Sequence, residues 1–303
     1  MEKSMRRYMR VGTILHVSYK QLGSGEGPIL ECLKKIVTDP YFEVVEVAHM
    51  KDAEVRKAAA DMIARGHMTS SYGGQGRMLG AGLNINDLNE EGRQKALASL
   101  KEGIDEAYEM GVEDFAFLAG RYEEETKEES FQALLKSTRE LCEYAKSKGD
   151  MPVLCEVFDY DIAKKSLIGP VDMVKRYVET ICAEYDNFGL MVDLSHIPML
   201  HETIEESLLP VQQYIRHAHM GNTVIKSPEC PAYGDEHPRF GFPNSENDVE
   251  ELAAYLRLLL KIGFLNEKKR PIVSFEIKPF GEEDPEVCLA NAKRTLDLAW
   301  ELV

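Results

Sequence analysis

Four short apolar runs in the second half of the chain are each interrupted by one ionisable residue: Glu156 in VLCEV, Asp193 in LMVDLSH, His219 in IRHAHMG and Glu276 in VSFEIKP. A single such residue is readily a paired core group or a helix cap. Four at equivalent depth on neighbouring strands form a different pattern, because three carboxylates converging on one point repel one another strongly unless a cation neutralises them. The economical arrangement is a divalent metal held by three oxygens and one imidazole nitrogen. Hard oxygen ligands with one nitrogen suit Mn²⁺ first, then Mg²⁺ or Co²⁺; Zn²⁺ also fits, although it more often recruits extra His or Cys. Such an ion stabilises the enediolate formed when a proton leaves the carbon beside a carbonyl. Glu156 and Glu276, on non-adjacent strands, would flank a hydroxycarbonyl compound from opposite sides, one as base and one as acid, giving epimerisation. A base on one face, shuttling a proton between adjacent carbons, would instead interconvert aldose and ketose.

Other polar residues fall near the same point. His217 shares the strand face of His219 and is a supporting partner, a substrate contact or a packed core histidine. Lys278 shares the face of Glu276, where it would hold an anionic substrate group. As the Schiff-base amine of a metal-free aldolase it would leave the four-ligand set unexplained. His16, Glu46, His49 and Arg121 sit near the ends of strands one, two and four as pocket-wall residues, positions where loop salt bridges are the commoner outcome. Tyr72, Phe158 and Tyr160 are candidates for an apolar floor beneath sugar C–H faces, though core packing explains them nearly as well.

The elements that position these groups are legible as an alternation. Runs rich in β-branched and aromatic residues predict strands at 11–17, 42–48, 67–72, 112–118, 152–157, 188–194, 214–220 and 271–277, the third being short and polar. Between them the helical period recurs, as in Leu97, Leu100, Ile104 and Ala107, in Val249, Leu252, Leu256 and Leu259, and in Leu289, Ala292, Leu296 and Ala299. Thr126 with Glu129 and Thr203 with Glu206 read as capping boxes, and Asp284-Pro285 reads as a helix start. Gly111, Gly149 and Gly263 are expected to close helices in the left-handed conformation. Eight βα units without a linker predict an α/β chain forming a single (β/α)₈ TIM barrel over residues 1–303. The GSGEG at 23–27 lacks the spacing of a dinucleotide fingerprint. A long loop at 221–244 follows strand seven. Its segment YGDEHPRFGFP, with Asp235, His237 and Arg239, is expected to fold over the site and supply polar contacts.

Composition narrows the function further. The 303 residues carry 36 basic and 52 acidic side chains, a net charge of −16, which disfavours nucleic acid and anionic membranes as partners. Six scattered cysteines read as reduced thiols. The N-terminal MEKSMRRYMR lacks the apolar stretch of a signal peptide, and the longest apolar run is broken by Arg257 and Lys261. A cytoplasmic protein is expected. The clusters EEETKEE and NEKKR read as solvated helix ends. Gly281 with Glu282 and Glu283 offers no phosphate site after strand eight, so an unphosphorylated sugar, sugar acid or glycoside is preferred.

In this order, VLCEV, VDLSH, HAH and FEIKP resemble the xylose isomerase-like barrel superfamily over nearly the whole chain. This group of sugar isomerases and epimerases includes tagatose 3-epimerase-like enzymes, hydroxypyruvate isomerase and inosose-processing enzymes. The resemblance implies that Glu156, Asp193, His219 and Glu276 bind the metal and that His196 contacts substrate. Those epimerases also carry an Arg shortly after the strand-seven His. Here Gly221-Asn222-Thr223 and then Lys226 follow instead, so that contact is absent or replaced. Relatives are often dimers or tetramers. The reading is a metal-dependent carbohydrate isomerase or epimerase. The alternative keeps the barrel and metal but ends in elimination, as in dehydratases or in the hetero-oligomeric C-glycoside deglycosidases that cleave 3-oxo-glycosides. An endonuclease IV-like DNA repair enzyme, which needs three zinc ions and a positive face, and a non-catalytic sugar-binding protein are less favoured.

Overall fold

The eight apolar runs become eight parallel strands that close into one barrel in chain order, in a computed structural model that describes residues 4–303. They are β1 (Arg10–Ile14), β2 (Val44–Val47), β3 (Thr69–Gly73), β4 (Phe115–Leu118), β5 (Val153–Glu156), β6 (Phe188–Asp193), β7 (Ile215–Gly221) and β8 (Ile272–Glu276). Closure is made by β1 pairing with β8, from Arg10 opposite Ile272 to Thr13 opposite Phe275. Gly12 is required there: a Cβ would lie 2.5 Å from Ser274 Oγ and 2.9 Å from Val44 Cβ.

Alternation along the strands divides the buried side chains into two sets. Val45, Val47, Phe115, Phe117, Val153, Cys155, Leu190, Val192, Val273 and Phe275 join the large apolar core between barrel and helices. Ala116, Leu154 and Met191 form a separate small cluster on the opposite strand face, inside the barrel. Beside apolar Val44 and Ile272, that inner face also carries buried polar residues, Glu46, Ser71, His217, His219 and Ser274. The charge-bearing residues therefore share the lumen by strand parity, and the order of strand ends brings them to one mouth.

The helices that enclose the barrel begin and end much as their sequences indicate. Thr203 and Glu206 form a reciprocal capping box, and Asp284 accepts from Val287 N–H ahead of helix Pro285–Glu301. Gly111 (φ 66°) and Gly263 (φ 77°) take the left-handed conformation. Three local expectations are corrected. The first strand stops at Ile14, because Leu15–Ser18 coils into a helical turn tied by Thr13 Oγ1 and Ser18 Oγ at 2.9 Å. Thr126 makes no cap bond, since the 3₁₀ turn Glu124–Thr126 runs directly into helix Lys127–Lys148. Gly149 is extended at φ 164°; its small size admits Tyr108, whose ring would lie 2.9 Å from a Cβ at that position. The first three residues of the basic N-terminal segment lie outside the described residues. All six cysteines are free thiols, and no helix among the described residues is long and apolar enough to cross a membrane.

Candidate active site and metal centre

At the C-terminal mouth, β5 to β8 deliver Glu156, Asp193, His219 and Glu276 to a common point, with one potential ligand atom from each within 4.8 Å of the others. Three of the four are anchored through their outer atoms. Gln75 Nε2 donates to Glu156 Oε2 at 2.6 Å, Ser195 N–H donates to Asp193 Oδ1 at 2.8 Å, and His219 Nε2 donates to Glu46 Oε1 at 3.1 Å. The facing atoms are Glu156 Oε1, Asp193 Oδ2, His219 Nδ1 and Glu276 Oε2. All four are shut off from solvent and lack a hydrogen-bond partner.

Unpartnered buried polar atoms are costly one at a time, and four aimed at one another are a demand for positive charge. With its Nε2–H committed to Glu46, His219 turns Nδ1 toward Glu276 Oε2 (2.8 Å) and Glu156 Oε1 (3.4 Å). In the protein alone a proton answers this demand: burial opposes it, but Glu46, Glu156 and Glu276 outweigh burial and hold the His219 pKa well above the usual value. Burial, reinforced by Glu276, raises the Asp193 carboxyl. Three carboxylate oxygens and one imidazole nitrogen, three of the four groups held from behind by hydrogen bonds, fit a hard divalent cation.

Beneath this cluster lies a second, fully enclosed layer. His217 donates from Nε2 to Glu46 Oε1 at 2.8 Å and from Nδ1 to Asp114 Oδ2 at 3.2 Å, and Ser71 Oγ donates to Asp114. Burial lowers the His217 pKa, but Glu46 and Asp114 more than compensate and hold it at about 9. The imidazolium thus steadies Glu46, which in turn orients His219.

The loop after β7 closes one side of the mouth. Lys278 N–H donates to His237 O at 2.8 Å, and Thr223 Oγ1 donates to Gly234 O at 2.7 Å, so the segment is held at both ends. It carries buried Asp235 between His196 Nε2 (3.1 Å), His237 Nε2 (2.8 Å) and the Lys164 ammonium. Against the effect of burial, Glu276 and Asp235 raise His237 to about 9. Asp193, His196 and His237 are close enough to form a further group of candidate ligands.

The residues singled out in the sequence separate clearly. Glu156, His219, Glu276, His237 and Lys278 line one cavity of about 250 Å³, with Asp193 at its edge through the ligand cluster. His196 lies beside it, donating from Nδ1 to Val157 O at 2.7 Å and packed 4.3 Å from the Phe158 ring. His217 is not at the cavity: it is fully enclosed below, because the next inward position down β7 falls a full strand layer deeper. Arg121 is also elsewhere, in an adjoining hollow, where its guanidinium donates to Lys164 O (3.1 Å) and Ala163 O (3.4 Å). Lys226 pairs with Glu246 away from the mouth and supplies no substitute for the epimerase Arg. Phe158 lines the cavity, whereas Tyr72 points outward and donates to Glu106 Oε2 at 2.7 Å, and Tyr160 stands beside His201. His49 also turns to Glu106.

Two lining residues with polar side chains, Gln75 and Lys164, are not marked out by the sequence pattern. Gln75 follows the polar third strand, and its place after that strand's C-terminal end was the available signal. Lys164 had none: it reaches the mouth because buried Asp159 accepts from the N–H groups of Ile162, Ala163 and Lys164 and so shapes the loop after β5.

The xylose isomerase-like TIM barrel family model matches residues 37–296. No curated protein matches the sequence. Among solved structures, a D-tagatose 3-epimerase-like protein is 18% identical, with 97% of this chain and 99% of that chain covered and a TM-score of 0.71. D-Psicose 3-epimerase from Clostridium cellulolyticum H10, solved with D-tagatose, is 15% identical with 97% and 99% covered and a TM-score of 0.68. A 3-keto-D-glucoside 4-epimerase from E. coli is 16% identical with 97% and 98% covered and a TM-score of 0.63. These likenesses agree with the fold, and the extent of the family match decides the assignment: the chain belongs to the xylose isomerase-like TIM barrel family.

Proposed function

We propose that this protein is a divalent-metal-dependent carbohydrate isomerase or epimerase. The observation that carries the reading is the set of four buried, unpartnered atoms of Glu156, Asp193, His219 and Glu276 aimed at one point beside a cavity. Mn²⁺ is the preferred ion for that donor set. When bound, the ion supplies Lewis-acid charge beside a substrate carbonyl.

The chain's own groups account for the rest. Glu156 and Glu276 stand on strands separated by β6 and β7, so a sugar lying between them presents opposite faces to the two carboxylates. One removes the proton beside the carbonyl, and the other returns a proton from the far side. His237 stands 3.5 Å from Glu276 Oε1, positioned to exchange a proton with it, and Lys278, its ammonium paired with Glu236, stands at the rim. The loop 221–244 covers the site and limits water. Solved neighbours described as acting on tagatose, psicose and 3-keto-glucoside support a small carbohydrate as substrate.

Elimination from a 3-oxo-glycoside is the second reading. It is favoured by one observation, that no free cation follows shortly after His219, where the resemblance to the ketose epimerases leads one to expect an Arg: Asn222 is buried and donates to Arg239 O at 2.9 Å, and Lys226 pairs with Glu246. Incubation of the Mn²⁺-loaded protein with ketoses and 3-oxo-glycosides in D₂O tests both. Deuterium incorporation beside the carbonyl with an epimerised or isomerised product supports the first reading, and release of an aglycone replaces it with the second. Absence of exchange on every sugar contradicts both.

A further inference from the structure

The mouth extends beyond the ligand cluster. The central cavity of about 250 Å³ continues past His16, Gly73 and Gly76, which line both spaces, into a hollow of about 390 Å³ among the segments that follow β1, β2 and β3. Three observations bear on what that hollow holds. His16 Nδ1, at the junction, is closed to solvent and has no hydrogen-bond partner. Gly76, also at the junction, needs no glycine for the fold: its φ is not left-handed, it lies in the helical turn Gln75–Leu79, and a Cβ there would meet nothing within 4 Å. What glycine does at this position is leave the passage open. The walls beyond carry Ser24 between Gly23 and Gly25 and the ammonium of Lys51 among apolar Leu22, Ala48 and Ala81; Arg77 also lines the space, its guanidinium committed to Tyr72, Ser99 O and Glu106. Glycine backbone and short or cationic side chains offer donors and acceptors to hydroxyl groups.

On the opposite side, the hollow around Arg121 is lined by Met78, Leu79, Leu83 and Leu118 together with Asn84 and Lys164; the Arg121 guanidinium donates to backbone carbonyls, Asn84 donates to Arg121 O and Lys164 pairs with Asp235. That space has no unsatisfied polar group to recognise a hydroxylated ligand. The difference between the two hollows is at the entrance, where only the first has a buried unpartnered polar atom, His16 Nδ1.

We propose that the hollow beyond His16 is a glycosyl subsite, so that the substrate is a sugar carrying a second sugar unit. The reacting ring occupies the central cavity, the second ring lies among Ser24, Lys51 and the backbone of Gly23 and Gly25, and His16 hydrogen-bonds to the ligand where the two spaces join. The combined space is of the size that encloses ligands larger than one ring. This inference rests on the sugar isomerase or epimerase reading of the central cavity.

The test compares Mn²⁺-loaded wild type and Gly76→Leu, following hydrogen exchange beside the carbonyl by NMR in D₂O. The substrates are free ketoses (D-fructose, D-psicose, D-tagatose) and ketoses bearing a glycosyl unit (isomaltulose, lactulose). The wild type is expected to show kcat/KM about tenfold or more higher for at least one glycosylated ketose than for the free ketoses. Leucine at 76 fits the helical turn and blocks the passage, bringing that ratio to about one; His16→Ala lowers it in the same direction, mainly through KM. Exchange on free ketoses with no preference for the glycosylated ones, or a preference unchanged in Gly76→Leu, overturns the subsite and leaves the sugar reading standing. Exchange on none of the sugars overturns both.

Discussion

The two halves of the barrel mouth do different work with similar residues. Strands β5 to β8 each end in one group whose free atom faces a common point. In the β1 to β4 half, Glu46 and Gln75 bind the backs of those groups, Asp114 steadies the layer beneath, and His16 and Gly76 border open space. A carboxylate in the β5 to β8 half is a candidate ligand because its partner is missing, whereas Glu46 in the β1 to β4 half is spoken for by two imidazoles. Residue type alone does not make that distinction. The hydrogen-bond inventory does.

The largest effect should come from the β5 to β8 half. Glu156→Gln and Glu276→Gln are each expected to lower kcat by about 10²–10⁴-fold in steady-state assays while the far-ultraviolet circular dichroism is unchanged. Full activity in both would erase the distinction between the halves. Next, Glu46→Gln keeps the shape but weakens the orientation of His219, and should weaken metal binding by about 10–100-fold in competition with a chelating dye. An unchanged affinity would show that the opposite half contributes shape alone. Asp235→Asn, at the loop that bridges toward β8, removes the charge shared by His196, His237 and Lys164. Faster hydrogen exchange across residues 228–240 with a roughly tenfold fall in turnover is expected. Smallest is a control away from the mouth: Thr203→Ala should cost about 1 kcal/mol in urea denaturation, whereas Thr126→Ala, which loses no cap bond, should stay within about 0.5 kcal/mol. Turnover should change in neither.

The same contrast explains what the sequence revealed. An ionisable residue inside an apolar run is conspicuous, so Glu156, Asp193, His219 and Glu276 stood out and strand parity placed them together. His217 obeyed the same parity, yet one inward step along a strand separates the cavity from the closed lumen, and periodicity does not locate that floor. Arg121 lay at the correct end of β4, but its direction is set by the carbonyls of residues 163 and 164, more than 40 positions away. Gln75 and Lys164 owe their places to short turns after strands, where no repeating pattern operates. The barrel was legible because eight runs repeat one rule. Gly149 and Thr126 departed from their local signals for local reasons, an aromatic ring needing space and a 3₁₀ turn taking over a helix start.

The central claim is that the four converging groups exist to hold one divalent ion. Metal content by inductively coupled plasma mass spectrometry, on wild-type protein reconstituted with Mn²⁺ and dialysed, tests it alongside Asp193→Asn and His219→Ala. One ion per chain is expected in the wild type, with loss of sugar turnover on chelation, recovery on Mn²⁺ addition, and little retained metal in either variant. A wild type that retains no divalent ion, or variants that retain as much as it does, would contradict it.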